Sequence, residues 1–567
     1  MLINPISAAI GLKAAATKRA VLRKMRDPMA VQEEFLRDLL AHQRDTVLGR
    51  ELGLGELKTI DQYRDRVPIR RYGDFEPYIA RIAAGEANVL NPDPVLYLNV
   101  TSGTTGRQKR IPVTKRFRHF LGKAQFASYG FGWEAFRAHA RSFPAGERPR
   151  LGRGIVGQTT ADFGITDGGV PYGRATSGRI QSARYLVNSV LAHPLETMGV
   201  ADAPSRHYLT LLFALARPHV GFLLIGFPIN MVHLCQSMEA FSELLVEDLA
   251  RGSISDSINL DPALRAAVTP RLKPAPERAA FLRAVLKRDG RLTPKTAWPS
   301  LAVLITAMGG ASAFYVPRLR EYVGEALFFG GNYSASEGVI GLYTDFNVHH
   351  SALAIESTFF ELVPEDQWDT DHPKTVLASE AEIGRSYRVV MSNYNGMPRY
   401  DLEDIVEVVG FLEKTPLIRF QRRAGGQLSS VLEKTTEHHV LTVINGLQEE
   451  FGLALQDYCI TLSEQEIPPH YLVNLELAPG SHLADPQGFL RRFDEALKQI
   501  NWLYGMLRKD RIPPPKLRIL AQGSFFALRQ RRVAIAQASA DVKLPHVSED
   551  RQFLDGATIL EAFDFVD

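Results

Sequence analysis

A run of small hydroxyl and glycine residues between two apolar stretches is the first feature of the chain that could do chemistry. It lies in YLNVTSGTTGRQKRIPVT, residues 97–114, and Lys109 follows it. Such residues cannot fill a core, but they can offer hydroxyl and backbone N–H donors to phosphate oxygens. Lys109 would add a point charge. The residues of the run are Ser102, Gly103, Thr104, Thr105 and Gly106.

The residues of this loop leave two interpretations open. The spacing G-x-x-G-x-x-K differs from the G-x-x-x-x-G-K-[ST] of a P-loop, so a P-loop is excluded. Residues 97–100 alternate and favour β structure, which predicts a strand before the loop. The loop is then either an anion site or a tight hairpin turn with a solvated lysine.

A second candidate site is GGNYSASEG, residues 330–338, which follows an apolar run. Tyr333, beside paired glycines, is a candidate platform for a nucleobase. Glu337, four residues later, could bind Mg²⁺ that carries phosphate. The alternative is the end of a strand with a solvated glutamate.

A third candidate is the acidic stretch NGMPRYDLEDIVEVVGF, residues 395–411, which holds Asp401, Glu403 and Asp404 before a strand. A carboxylate at a strand edge can accept hydrogen bonds from both hydroxyls of a ribose. The alternative is an acidic turn. Three carboxylates within four residues would also repel one another and a polyphosphate.

Composition indicates an ordinary globular protein of more than one domain. The chain has 567 residues, 45% of them hydrophobic and 23% charged, and a net charge of +3. This charge gives no indication of a nucleic-acid surface. We expect no membrane segment, because the longest internal apolar run, residues 220–234, is too short to span a bilayer. The N-terminus lacks the basic region of a signal peptide, and the two cysteines form no metal motif, so we expect a cytoplasmic protein without structural zinc.

Hydrophobic periodicity predicts helices, buried strands and a small C-terminal unit. We expect single helices over 115–129 and 231–251 and two strands within 404–423. The segment AGGQLSS, residues 424–430, is the best candidate for a linker. Beyond it the pattern predicts a small α+β unit. Its predicted elements are helices over 437–450 and 486–506 and strands over 471–477 and 516–520.

Taken in order, these motifs resemble the adenylate-forming superfamily, which includes luciferases and acyl-CoA synthetases. The detail is closer to one branch, the plant acyl acid amido synthetases that conjugate auxin and jasmonate to amino acids, with their bacterial relatives. The branch has motifs similar to TSGTTGRQK, YSASEG and YDLEDIVEVVGF, and connecting segments similar to WPSLAVLITAMGGA and TPLIRFQRR. The resemblance spans roughly residues 49–545.

The resemblance implies an α/β fold in two parts. Residues 1–423 would form a large adenylate-forming domain, with mixed sheets, flanking helices and a β-barrel-like part, and would hold the ATP and acyl acid sites. Residues 424–567 would form a small, mobile α+β lid. ATP and Mg²⁺ would be the cofactors, and the partners would be a small carboxylic acid and an amine.

The resemblance also implies roles for individual residues. Ser102, Thr104, Thr105, Gly106 and Lys109 would form the phosphate loop. Lys543, in QASADVKLPHV, would bridge the carboxylate and the α-phosphate during adenylation. The remaining ATP-site roles fall to Gly310 and Ala311 facing the adenine, Tyr333 stacked near it, Ser336 at the α-phosphate, Glu337 at Mg²⁺, Asp404 at the ribose hydroxyls and Arg423 near the ribose.

By family position, the acyl pocket should lie among residues 157–180 and two apolar stretches after them. An apolar lining would favour a hydrophobic or aromatic acid. The alternative for each lining residue is a place in the core. The residues concerned are Leu212, Phe213, Phe222 and Phe227.

Three functions therefore remain open. The leading hypothesis is activation of a carboxylic acid as an acyl-adenylate, followed by transfer to an amine. The second is transfer to a thiol, of coenzyme A or of a carrier protein. The third is a degenerate fold that binds an acyl acid or a nucleotide without catalysis.

Overall fold

The computed structural model describes residues 5–101, 109–144, 147–158, 163–173, 184–368, 370, 372–424, 426–431, 433–509, 511–535 and 544–566. The chain divides into two compact units. The larger unit comprises 1–402 and 406–420, and the smaller comprises 403–405 and 421–567. Both mix helices with sheets, so the α/β class predicted from the sequence is confirmed.

The strands are numbered in chain order. The first half of the chain has short strands: β1 Val95–Thr101, β2 Lys109–Thr114, β3 Gly154–Val156, β4 Phe163–Ile165, β5 Pro171–Gly173, β6 Phe222–Leu224, β7 Val303–Ile305, β8 Leu327–Phe329, β9 Asn332–Ala335, β10 Gly338–Leu342 and β11 Ser351–Leu353. The later strands are β12 Phe359–Pro364, β13 Val376–Leu377, β14 Ser386–Ser392, β15 Tyr400–Leu412, β16 Thr415–Arg423, β17 Gln427–Leu428, β18 Thr435–Thr436, β19 Leu455–Leu462, β20 Tyr471–Leu477, β21 Lys516–Leu520 and β22 Ile559–Phe563.

The α-helices of the larger unit are Pro5–Lys24, Pro28–Gln43, Val47–Glu51, Ile60–Arg66, Tyr72–Ala83, Lys115–Arg141, Arg184–Val190, Ala203–Leu215, Pro228–Ala240, Ser242–Arg251, Pro262–Val268, Pro276–Asp289, Pro294–Ala297 and Val316–Val323. Those of the smaller unit are Glu437–Phe451, Pro486–Ile500, Trp502–Leu507 and Ser524–Ile535. None of the helices in the described ranges is both long and apolar enough to cross a membrane.

Within the described ranges, three sheets build the larger unit. One has the order β2-β1-β5-β4, and another, with the order β3-β6-β7-β8, is entirely parallel. The third is eight-stranded, with the order β13-β12-β14-β15-β16-β11-β10-β9. A continuous core joins helix Pro28–Gln43 and helix Lys115–Arg141 to this third sheet through side chains such as Phe35, Phe117 and Phe359. Burial of this apolar surface is the main force that fixes the sheets against the helices.

The smaller unit is built on the sheet β19-β20-β21-β22. Its helix Glu437–Phe451 begins at Thr436, whose side chain accepts a hydrogen bond from His439 N, and ends at Gly452 in the left-handed conformation. These are the residue types preferred at helix ends. The predicted helix over 437–450 and the strands over 471–477 and 516–520 are confirmed.

Two predicted helices are each divided in the structure. The helix predicted over 231–251 is two helices that meet at Phe241. The Phe241 ring packs edge-on against the ring of Tyr208, with the ring centres 5.4 Å apart. The helix predicted over 486–506 is interrupted at Asn501, which has extended backbone. The Asn501 side chain accepts a hydrogen bond from Tyr504 N and donates one to the carbonyl of Glu433 at 2.9 Å. This capping interaction restarts the helix, and tertiary contacts of this kind override local periodicity.

Candidate active site

Lys109 is the first residue of β2 and lies opposite Thr101, the last residue of β1. The strand predicted before the loop is therefore confirmed. The predicted phosphate-loop residues Ser102, Gly103, Thr104, Thr105 and Gly106 lie outside the described residues. Lys109 consequently stands where the chain re-enters the sheet after the loop.

Ser336 and Glu337 form the two-residue connection between β9 and β10. Glu337 is buried, with 3% of its surface exposed. The side-chain amides of Asn393 and Asn395 each donate to the backbone carbonyl of Glu337 at 2.9 Å. A Cβ on Gly338 would come within 2.8 Å of the Asn393 amide nitrogen, so glycine at this position permits the contact. The asparagines thus fix the backbone that carries the Glu337 carboxylate.

A tyrosine hydroxyl joins the first two candidate sites. Lys109 Nζ donates to the hydroxyl of Tyr400 at 3.3 Å, and that hydroxyl donates to Glu337 Oε1 at 3.0 Å. The structure therefore brings Lys109 and Glu337 to one place. Sequence reasoning missed Tyr400, although the residue opens the third motif, YDLEDIVEVVGF.

A second tyrosine, Tyr72, also lies near Lys109. Lys109 Nζ is 5.6 Å from the centre of its ring, a distance at which a cation is attracted to an aromatic face. The Tyr72 hydroxyl accepts a hydrogen bond from Arg110 N at 2.7 Å. Burial raises the pKa of Tyr72, so the phenol stays protonated at neutral pH.

The three carboxylates do not form an acidic turn, the alternative that the sequence left open, since Asp401, Glu403 and Asp404 lie within β15. Asp401 is 3% exposed, and its Oδ2 lies 3.5 Å from Arg388 Nε and 3.8 Å from Arg71 Nε. In the smaller unit, Arg423 Nε donates to Asp404 Oδ1 at 3.0 Å. Cations therefore offset the charges of Asp401 and Asp404, and the repulsion expected from the sequence is reduced.

Glu403, between these two aspartates, has a left-handed backbone with φ of +64°. This conformation costs a residue with a Cβ about 1 kcal/mol or more in free energy, whereas glycine adopts it freely. The backbone carbonyl of Glu403 accepts a hydrogen bond from Ala424 N at 2.5 Å. The irregularity in β15 is thus tied to the chain just after β16.

The predicted adenine-facing residues lie at two places in the larger unit. Gly309 and Gly310 have φ of +133° and +52°, and a 3₁₀ helix, Gly310–Tyr315, begins there and includes Ala311. Tyr333 is half-buried in β9, and its ring packs edge-on against the ring of Phe420, with the ring centres 5.6 Å apart. Their contact with adenine stays a prediction.

Comparison with known proteins shows the family of this chain. The GH3 family N-terminal domain matches residues 17–328, its central domain matches 351–423, and its C-terminal domain matches 438–552. The chain belongs to the GH3 family.

Relatives of this GH3 chain match it over most of their length. It is 28% identical to the probable indole-3-acetic acid-amido synthetase GH3.12 of Oryza sativa subsp. japonica, over 92% of each chain. It is 26% identical to the jasmonoyl–L-amino acid synthetase GH3.5 of the same organism, again over 92% of each chain.

Two solved structures share the fold of this GH3 chain. The GH3.15 acyl acid amido synthetase superposes with a TM-score of 0.82 at 20% identity, over 96% of each chain. A 2-hydroxyisobutyryl-CoA ligase with a bound acyl-AMP gives a TM-score of 0.52 at 12% identity, over 95% of this chain and 90% of the ligase. The fold of the GH3 chain is therefore that of adenylate-forming ligases.

The four predicted acyl-pocket residues of the GH3 chain differ in exposure. Leu212 and Phe213 lie in helix Ala203–Leu215 and are buried. Phe222 is half-buried in β6 against the cluster of Val156, Leu191 and Met198, and Phe227, also half-buried, precedes helix Pro228–Ala240. Phe222 and Phe227 are thus the members of the set with surface left for a ligand.

Lys543, the predicted lysine of the lid, lies outside the described residues, but the chain just after it is well fixed. The His546 ring stacks on Tyr458 with centres 4.2 Å apart, and its Nε2 lies 3.3 Å from Asp457 Oδ1. Ile460 N donates to the backbone carbonyl of His546 at 2.9 Å. This segment of the GH3 chain is therefore anchored to β19.

The donor set at Glu337 suits Mg²⁺ shared with a nucleotide. No group of three or more histidine, cysteine, aspartate or glutamate side chains in the described part of the chain could hold a metal by itself. A Mg²⁺ ion commonly takes only one or two protein carboxylates, and phosphate oxygens and water complete its octahedron. The single buried carboxylate of Glu337, close to the cation of Lys109, fits that arrangement.

Asp404→Ala is expected to raise the KM for ATP by about 10- to 100-fold, because the ribose would lose hydrogen bonds to a charged acceptor. Glu407→Ala is a matched control, since Glu407 pairs with Arg419 at 2.6 Å across the same two strands. Steady-state pyrophosphate exchange measures both variants. If the KM for ATP is unchanged in Asp404→Ala, Asp404 does not bind the ribose.

Glu403→Gly is expected to raise the stability of the chain by up to about 1 kcal/mol, because glycine relieves the positive φ. It should leave the KM for ATP unchanged or lower it. Glu403→Ala separates charge from backbone, since it removes the carboxylate but keeps a Cβ. Denaturant unfolding measures the free energy of unfolding of both variants. If Glu403→Ala raises this free energy as much as Glu403→Gly does, the removed charge, not relief of backbone strain, is responsible.

Proposed function

We propose that this chain is an ATP-dependent acyl acid amido synthetase. It would activate a carboxylic acid as an acyl-adenylate and then transfer the acyl group to the amine of an amino acid. The observation that carries the proposal is the convergence of Lys109 and Glu337 on the Tyr400 hydroxyl, in a chain that has all three GH3 domains. Its relatives are named as a probable indole-3-acetic acid-amido synthetase and a jasmonoyl–L-amino acid synthetase, which supports an amine as the acceptor.

The chemistry requires a better leaving group than a carboxylate offers. A carboxylate oxygen attacks the α-phosphorus of ATP, the bond to pyrophosphate breaks, and the acid becomes an acyl-adenylate. The amine then attacks the acyl carbon, AMP leaves, and the amine loses a proton. For the first step the protein must mainly position the groups and stabilise charge around phosphorus.

Residues of the chain fit these tasks. Lys109 and the phosphate loop would hold the pyrophosphate as it leaves, and Asp404, oriented by Arg423, would hold the ribose. Glu337 would hold Mg²⁺, which neutralises phosphate charge when bound. Lys543 would approach the α-phosphate in adenylation and withdraw for transfer, if the smaller unit moves as a lid.

The acid is expected to be hydrophobic or aromatic, because the half-buried Phe222 and Phe227 are apolar. A cytoplasmic location is proposed from the two cysteines, Cys235 and Cys459, which are free and buried. Free thiols are usual in a reducing compartment.

Exchange of labelled pyrophosphate into ATP tests the proposal, with a panel of aliphatic and aromatic acids. We expect exchange that depends on the acid, and an amide once amino acids are added to the best acid. A thioester formed with coenzyme A or a carrier protein, and no amide, would favour the thiol-transferring alternative. Nucleotide binding without exchange for any acid would indicate a degenerate fold.

A further inference from the structure

The Tyr400 hydroxyl stands between a cation and a carboxylate that the proposed reaction uses separately. We infer that Tyr400 is a positioning residue that keeps Lys109 and Glu337 apart and directed toward Mg·ATP. This inference rests on the proposed function and deepens it.

The direction of both hydrogen bonds is fixed by chemistry. The ammonium group of Lys109 can only donate, and the ionised carboxylate of Glu337 can only accept. A phenol has one O–H to donate and lone pairs to accept, so Tyr400 accepts from Lys109 at 3.3 Å and donates to Glu337 at 3.0 Å. Tyrosine is one of few side chains that can satisfy both neighbours at once.

The position of this hydroxyl is held from two sides. Tyr400 is 1% exposed, and its ring packs against Phe75 with centres 6.1 Å apart. Its backbone pairs with Arg70, and Arg70 N donates to the carbonyl of Arg399 at 3.1 Å while Asp401 N donates to the carbonyl of Arg70 at 2.8 Å. A side chain fixed in this way can set the geometry of the groups that it contacts.

Without the hydroxyl, the opposite charges would be drawn to each other. Attraction between unit charges is strong where water is largely excluded, and Glu337 is buried. A direct Lys109–Glu337 ion pair would take the cation from the pyrophosphate and the carboxylate from the metal. Tyr400 prevents this pairing by binding both groups itself.

The test compares Tyr400→Phe, which keeps the ring, with Tyr387→Phe as a matched control. Tyr387 is also 1% exposed, and its hydroxyl accepts from Glu382 N at 3.0 Å. Calorimetric titration measures ATP binding with and without Mg²⁺. We expect Tyr400→Phe to weaken Mg·ATP binding about 10-fold, with a change below about twofold when Mg²⁺ is absent. Tyr387→Phe should bind Mg·ATP as the wild type does.

A double-mutant cycle with Lys109→Met adds a readout that a merely structural tyrosine would not affect. If Tyr400 acts through Lys109, Tyr400→Phe in the Lys109→Met background should lower the affinity for Mg·ATP by less than about threefold. Three results would each overturn the inference. The first is that Tyr400→Phe lowers the affinity for Mg·ATP equally in the wild-type and Lys109→Met backgrounds. The second is that Tyr400→Phe and Tyr387→Phe lower this affinity equally, and the third is that the wild type binds no Mg·ATP. A wild type that binds Mg·ATP but shows no acid-dependent exchange would contradict the proposed function alone, and the titrations would still decide the role of Tyr400.

Discussion

Lys109→Ala is expected to slow acyl-adenylate formation by about 30- to 1000-fold, because it would remove the proposed charged contact to the leaving pyrophosphate. Lys109 begins β2, and its Nζ lies 5.6 Å from the centre of the Tyr72 ring and 6.0 Å from the centre of the Tyr400 ring. The effect should fall mainly on the rate of pyrophosphate exchange. A phosphate contact that only bound ATP would instead raise its KM and leave the rate at saturation unchanged.

A neighbouring lysine provides the control for this variant. Lys115 begins helix Lys115–Arg141 and is exposed, so Lys115→Ala removes the same charge from the same region without a role in the site. It should exchange pyrophosphate at nearly the wild-type rate. Wild-type exchange in Lys109→Ala would contradict the assignment of the phosphate loop.

Lys543→Ala should lower the rate of adenylate formation from acid and ATP by at least about 100-fold, since it would remove the proposed bridge between carboxylate and α-phosphate. Aminolysis of a chemically supplied acyl-adenylate needs no such bridge and should change by less than about twofold. Single-turnover measurements of each half-reaction separate the two effects.

The same two assays on Lys509→Ala, an exposed lysine of the smaller unit, control for loss of charge. Equal losses of both half-reactions in Lys543→Ala would point to misfolding or to a shared role. If Lys543→Ala slows neither half-reaction, Lys543 is a surface lysine without a role in the chemistry, and charge stabilisation is left to Lys109 and the metal site.

Local patterns in the sequence predicted much of the fold. Alternation of apolar residues located the strand before the phosphate loop and the pair β15 and β16. Hydrophobic periodicity located helix Glu437–Phe451. These elements follow from interactions within a few residues, which is why one sequence suffices to predict them.

Features that depend on distant residues could not be predicted in this way. The bridge through Tyr400 requires the ends of β2 and β15 to meet the β9–β10 connection. The charge of Asp401 is compensated by Arg71 and Arg388, which are remote in sequence. Propensity would assign glycine rather than glutamate to the positive φ at residue 403. In each case tertiary structure sets the chemistry of a side chain.

Transfer of an oxygen label tests the central claim most directly. A carboxylic acid that supports pyrophosphate exchange is labelled with ¹⁸O in both carboxyl oxygens and converted to the amide in one turnover. Attack of the carboxylate on the α-phosphorus predicts one ¹⁸O in the phosphate of AMP and none in pyrophosphate. Recovery of the label in inorganic phosphate with ADP as the nucleotide product, or amide formation without label in AMP, would contradict an acyl-adenylate intermediate.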